Sequence, residues 1–221
     1  TFCNDEEKIQ VLIDNAKILK SLGVDVMVNS PIPFDSSVTN HFDFYFQTKE
    51  NPILVWPERA NSFWWRLTNH HNQEIEFHRD IDDYGWAALC QIKKLSEIAL
   101  TYNYDIFYHM NYDVHISEEL TQDILNNKTN TTYHRLNPKD HTDQWDVTPL
   151  FLSFDKENLI NLLGKISKEE YLKLNGFAED FLEYALKDSS MNQSLFPVED
   201  LVRYFDAEDD DIFNYSKTKN Y

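Results

Sequence analysis

Tyr104-Asp105-Ile106-Phe107-Tyr108-His109-Met110-Asn111-Tyr112-Asp113 is the stretch on which the reading of the fold turns. A continuous aromatic and aliphatic run that ends on polar residues predicts a central strand covered on both faces. Asn111 and Asp113 sit two apart, so an extended chain aims their side chains the same way. In open α/β sheets, ligands collect beyond the carboxyl ends of the strands. A carboxylate placed there can hold a hard divalent cation, and the cation can neutralise a diphosphate. The competing reading is a strand end whose polar residues simply mark the exit to solvent.

Working outward, residues 85–102 predict a helix that carries Leu89, Ile92, Leu95, Ile98 and Ala99 on one face. Before it, residues 57–83 lack periodicity and predict a long loop. After the strand, Ser117 caps a short helix reaching Asn126, and residues 127–146 predict a second polar loop. Residues 147–154 predict another strand, Asp155 starts a helix that Gly164 ends, and residues 168–187 form a helical section. From Ser189 onward the chain is acidic and aromatic, with one helix expected near residues 199–206. At the other end, Asn4 or Asp5 caps a helix with Ile9, Leu12, Ile13, Ala16 and Leu19 on its apolar face. Gly23 follows it as a C′ glycine. Residues 24–29 predict a strand closed by the Pro31-Ile32-Pro33 loop. Phe42, Phe44 and Phe46 alternate with polar or amphipathic neighbours in a third strand, and residues 53–56 suggest a fourth. Strands alternating with helices imply an α/β sheet that is at least partly parallel.

At 221 residues the chain is long enough for one domain with a short appendage, and 42% hydrophobic content supplies a sizeable core. A net charge of -18 argues against nucleic acid as a partner, because phosphate contacts need clustered Lys and Arg. Cys3 and Cys90 lie far apart in no metal-type spacing, which makes a reduced, intracellular setting the default expectation. No apolar run has the length of a membrane span and no signal peptide is visible. The expected setting is cytoplasmic, with peripheral attachment to a membrane left open. Without a secretory signal, the Asn-x-Ser/Thr triplets at Asn127, Asn130, Asn192 and Asn214 read as accidents of an Asn-rich sequence. Thr1-Phe2-Cys3 reads as the tail of a strand, which leaves open that residues precede Thr1.

Three places in the chain form a recognisable series. Thr1-Phe2-Cys3-Asn4-Asp5-Glu6-Glu7 runs from a strand end into a helix. Asp83-Tyr84-Gly85-Trp86-Ala87-Ala88 leads through a helix to the strand at 104–113. Gly176-Phe177-Ala178-Glu179-Asp180-Phe181 then opens a further helix. In this order they resemble the GT-A fold of nucleotide-sugar glycosyltransferases, and within it the family-2-like group. The resemblance covers about residues 1–187. It implies a Rossmann-like, mostly parallel mixed sheet flanked by helices over residues 1–190. An acidic aromatic extension, 191–221, would pack on that core.

What the resemblance implies chemically is specific. Asp113 would be the ligand to Mn²⁺ or Mg²⁺, in a family motif of two carboxylates whose first position here is Asn111. Asn111 can still hydrogen-bond a ribose hydroxyl. Asp180 would act as general base on an acceptor hydroxyl, in a single inverting displacement. Thr1, Phe2, Cys3, Ser30, Asp83, Tyr112, Arg135 and Glu179 would line the site of a nucleotide-diphosphate sugar, a UDP-sugar first among the choices. The acceptor would be a glycan or another hydroxyl compound.

Each assignment has a structural competitor. Glu179 and Asp180 suit the first turn of any helix, where the dipole favours acids. Asp80 and Asp82 share the spacing of Asn111 and Asp113 but precede a helix rather than end an apolar strand. Asp209-Asp210-Asp211 reads as a solvated charge run. His109 and His115 flank the motif and are better explained by packing or exposure, and Trp56, Trp64, Trp65 and Trp86 by the core. A sugar-phosphate nucleotidyltransferase would need a glycine- and base-rich phosphate loop that this chain, with 4 glycines, does not offer. A non-catalytic carbohydrate-binding or assembly module with the same fold is the alternative of another class, and Asn111 is its best support.

Overall fold

The computed structural model describes residues 3, 5–49, 52, 54–55, 82–83, 85–135, 146–174, 178–187, 189 and 191–196. Of these, residues 54–55, 82–83, 133–135, 146–150 and 193–196 are described by their backbone alone. Helix α1, Glu6–Ser21, starts where the Asp5 carboxylate accepts the Lys8 N–H at 2.9 Å. It ends in a Schellman turn: Gly23 N–H donates to Lys20 O, Val24 N–H to Leu19 O, and Gly23 takes φ +81°. The expected cap and stop both hold. Strand β1, Met27–Ser30, then pairs in parallel with β2, Phe44–Gln47. Between them lies a short helix, α2, Ser36–Thr39, capped by Asp35.

Strands β3, Leu54–Val55, and β4, Asp82–Asp83, form a small antiparallel pair. Helix α3, Gly85–Ala99, leads to β5, Ile106–Met110. Helix α4, Glu118–Leu125, follows, with Ser117 Oγ accepting from Leu120 N–H. Strands β6, Thr131–Arg135, and β7, Asp146–Asp155, come next. Helices α5, Lys156–Lys165, α6, Lys168–Leu174, and α7, Ala178–Leu186, precede the last strand, β8, Asn192–Phe196.

The largest sheet has the order β5-β7-β6-β8. β7 is antiparallel to β5 and to β6, while β6 and β8 are parallel. Three of its four strands therefore run one way and β7 runs against them. The chain is a mixed α/β protein, but its described strands form three small sheets, not the single central sheet expected.

Register decides which side chains face which layer. Phe107 stands opposite Phe154, whereas Met110 stands opposite Phe151. Alternation along the strands then divides the core. Phe107, Leu152 and Phe154 pack with Leu89 and Ile92 of α3, Leu162 of α5 and Phe181 of α7. Phe151 packs with Leu12 and Ala16 of α1 and with Leu120 and Ile124 of α4. Helices thus cover both faces, and the layers read α, β, α.

Two expectations are corrected here. The strand at 104–113 is shorter than its apolar run and ends at Met110, because residues 111–114 turn. The doubly covered central position belongs to β7, which pairs on both edges and buries Phe151 to Phe154 completely or nearly so. β6 and β8 occupy stretches without an apolar signal. Both are held by neighbouring backbone, and strand formation depends on that context more than on intrinsic preference. β8 also carries residues 192–196 into the sheet, so the C-terminal stretch begins as part of it. Most of the loop expected at 57–83, the helix near 199–206 and Asp209 to Asp211 lie outside the described residues.

The start of α5 is tied to the start of β6 by hydrogen bonds. Asp155 caps the helix by accepting Asn158 N–H at 2.8 Å. Asn130, held at φ 52°, donates to the same carboxylate at 2.6 Å and accepts the Asp155 N–H at 2.8 Å. The Asn130 amide, then the Asn158 N–H, holds the carboxyl below its ordinary value of 3.8. A depressed pKa stabilises the fold above the unfolded value and loses that effect as pH falls through the folded one. Asp155→Ala is therefore expected to cost about 1 kcal/mol at neutral pH. Urea unfolding should show the difference from wild type shrinking once the pH drops below the carboxylate range.

Candidate functional site

Past Met110 the chain folds back on itself. Val114 N–H donates to Asn111 O at 3.3 Å, and Asp113 in the middle of this turn is 7% exposed. Asn111 and Tyr112 are half-buried and Val114 is fully buried. The turn is tied from outside by Asn15 of α1. Its amide Nδ2 donates to Tyr112 O at 2.7 Å and to Val114 O at 2.9 Å. The expected extended path through Asn111 and Asp113 is thus replaced by a turn that places a shielded carboxylate at the end of β5.

Register places Arg135 apart from this turn. Met110 stands opposite Phe151 and Arg135 stands opposite Asp146, on either edge of β7. β5 and β6 run in the same direction, but Arg135 pairs with β7 five positions beyond the partner of Met110, so its backbone lies on the order of 17 Å further along the strand. Its side chain is outside what is described. α3 returns to β5 through a short connection, so its first turn lies toward the end of β5 that carries the Asn111–Val114 turn. Trp86 there packs on Tyr171 with centroids 5.7 Å apart, and Tyr171 on Phe181 at 5.9 Å. These rings link the first turn of α3 to that of α7, which carries Glu179 and Asp180, both half-buried.

A second polar group sits where the parallel pair ends. Asn29, Ser30 and Thr48 are all buried. Thr48 Oγ1 donates to Asn29 Oδ1 at 2.5 Å, and Asn29 Nδ2 donates to Gln91 Oε1 of α3. Ser30 Oγ accepts from Ile32 N–H at 3.1 Å, which shapes the exit into the Pro31-Ile32-Pro33 loop. Burying so many neutral polar groups costs free energy unless they find hydrogen-bond partners, as these do.

The remaining expected site residues are scattered. Cys3 is fully buried in the core with Val28 and Val114. Thr1 and Phe2 lie outside the described residues, as do the side chain of Asp83 and the loop residues 136–145. His115 is exposed, and His109 lies on β5 opposite Leu152. Sequence reading missed Asn15, Asn29, Thr48 and Gln91. A polar residue amid Leu12, Ile13, Ala16 and Leu19 was the available signal for Asn15.

Two other features belong elsewhere. The Tyr108 hydroxyl is buried on the α4 side, raised in pKa by burial and then by the Asp123 charge. A shallow cleft of about 330 Å³ lies between α5 and α7, lined by Asn158, Asn161, Lys165 and Ser189. There Lys165 Nζ donates to Ala185 O at 2.7 Å, near the end of α7 remote from Asp180.

Among the described residues, no group of three or more His, Cys, Asp or Glu converges as a metal cage. One carboxylate at a strand end does suit a cation that keeps waters and takes its other ligands from a substrate diphosphate, as Mg²⁺ commonly does. Among the described residues, no helix is long and apolar enough to cross a membrane. Compared with protein-family models, curated proteins and solved structures, the chain matches none.

Proposed function

We propose that this chain is a glycosyltransferase that moves a sugar from a nucleotide-diphosphate donor, first among them a UDP-sugar, to an acceptor hydroxyl. The observation that carries the reading is the Asp113 turn. It lies directly beyond a strand of a mixed sheet in which three strands share one direction, and it is fastened by a buried amide. The mixed α/β layering and the approach of the α3 and α7 first turns support the same reading.

In the reaction, the acceptor oxygen attacks the anomeric carbon while the bond from that carbon to the diphosphate oxygen breaks. Asp180 accepts the acceptor proton, which makes the hydroxyl a better nucleophile as the bond forms. Attack from the face opposite the leaving group inverts the anomeric centre. Asp113 would hold Mn²⁺ or Mg²⁺, and when bound the cation supplies charge neutralisation to the departing nucleoside diphosphate. Asn111 is suited to a ribose hydroxyl, as a neutral amide that both donates and accepts.

Thermal unfolding with Mn²⁺ plus UDP, GDP or dTDP tests the donor site. A ligand present at about 100 times its Kd adds about 2.7 kcal/mol, or roughly 5–10 °C in Tm for a chain of this size. One nucleotide is expected to give a Mn²⁺-dependent shift that Asp113→Ala removes. No shift with any pair would reject the metal-dependent donor site in favour of a non-catalytic module.

A further inference from the structure

We infer that Asn15, on the first helix, is the positioning residue of the donor site and that its amide sets the backbone on both sides of Asp113. The inference rests on the reading of Asp113 as the donor-site carboxylate. Asn15 is 2% exposed and interrupts the buried stripe formed by Leu12, Ala16 and Leu19. Asn is a poor choice for a helix interior, where its side chain competes with the backbone for hydrogen bonds. Its value here lies across the molecule. One NH₂ carries two hydrogens, and it reaches the carbonyls of Tyr112 and Val114, 97 and 99 residues away in sequence.

The ladder of β5 with β7 stops at Met110 opposite Phe151, so the turn lies beyond its last rung. Fastening Tyr112 O fixes the peptide plane that leads into Asp113, and fastening Val114 O holds the chain one residue past it, so the backbone that carries the carboxylate is held from either side. The fastener stands on a helix closed at both ends by its own caps and packed through Leu12 and Ala16 against the cluster that contains Val114. A functional group held by a side chain on a rigid element is held to finer tolerance than one on a free loop. Side chains of similar size fail for different reasons. Leu offers no donor, and an Asp carboxylate would set oxygen against two carbonyl oxygens.

The test measures the Mn²⁺ concentration that gives half-maximal binding of whichever of UDP, GDP and dTDP the wild type binds, by calorimetry at a temperature where every variant is folded. Asn15→Leu and the better helix former Asn15→Ala are compared with Leu12→Ala, which damages the same core without removing a hydrogen bond to the turn. Both Asn15 variants are expected to need about 10- to 100-fold more Mn²⁺, the usual effect of losing a partner that orients a ligand. Leu12→Ala should keep the wild-type requirement despite its lower Tm. An unchanged requirement in either Asn15 variant, or an equal rise in Leu12→Ala, overturns the positioning role and leaves the donor site standing. Wild type that binds none of UDP, GDP or dTDP with Mn²⁺ removes the donor-site reading and this inference together.

Discussion

Asp180→Asn is expected to lower kcat by about 10²- to 10⁴-fold while donor affinity stays near wild type. The amide keeps the shape of the carboxylate but cannot take the acceptor proton. Asp180 sits in the first turn of α7 and is half-buried, so the substitution removes a base without opening the core. Glu183→Gln, at an exposed position further along α7, serves as the control. If Asp180 merely favours the helix dipole, its variant should lose only about 0.3–1 kcal/mol of stability and no turnover. Steady-state kinetics on the sugar acceptor, together with the Mn²⁺–nucleotide shift, separate these cases. Full turnover in Asp180→Asn would place the base elsewhere.

Phe181→Ala, at the next position, is expected to cost about 3–5 kcal/mol. Its ring is fully buried, packs on Tyr171 at 5.9 Å and belongs to the cluster that joins α7 to β7. Truncation removes transfer free energy and leaves a cavity among Leu152, Leu182 and Tyr171 that the fixed helices refill only in part. Against a whole-domain stability of about 5–15 kcal/mol, that is a large share. Urea unfolding should show a lower midpoint with an unchanged slope. Tyr184, whose ring also contacts Phe181, is 45% exposed, and Tyr184→Ala should change stability far less. Equal losses at the two positions would mean that α7 does not pack through Phe181.

Much of the local structure was legible in the residues themselves. Asp5, Ser117 and Asp155 act as helix caps because a short polar side chain before an apolar periodic run satisfies free backbone N–H groups. Gly23 stops α1 because its φ of +81° disfavours any residue with a Cβ. Leu89 and Ile92 reach the core by helical spacing, and residues 147–154 form a strand by their apolar β-rich run. Gly164, by contrast, lies one residue inside α5, Lys156–Lys165, and takes no positive φ.

The partners of those elements were not legible. Thr131 to Arg135 reads as polar loop until β7 and β8 are placed on either side to bond its backbone. The apolar run at Tyr104 looked central, yet β5 lies at the end of the four-strand order, with Phe107 the one buried residue of its strand. Asn15 went unread in the sequence, because the turn that it bonds comes from the middle of the chain.

The division has a physical cause. Caps, turns and periodicities are contests among groups a few residues apart, so the sequence by itself determined the helix starts, the left-handed stop at Gly23 and the α/β alternation. Strand neighbours, the reversal of β7 and the meeting of Asn15 with the Asp113 turn depend on groups far apart in the chain. Their energies exist only after the layers have closed, and only the tertiary structure decided them.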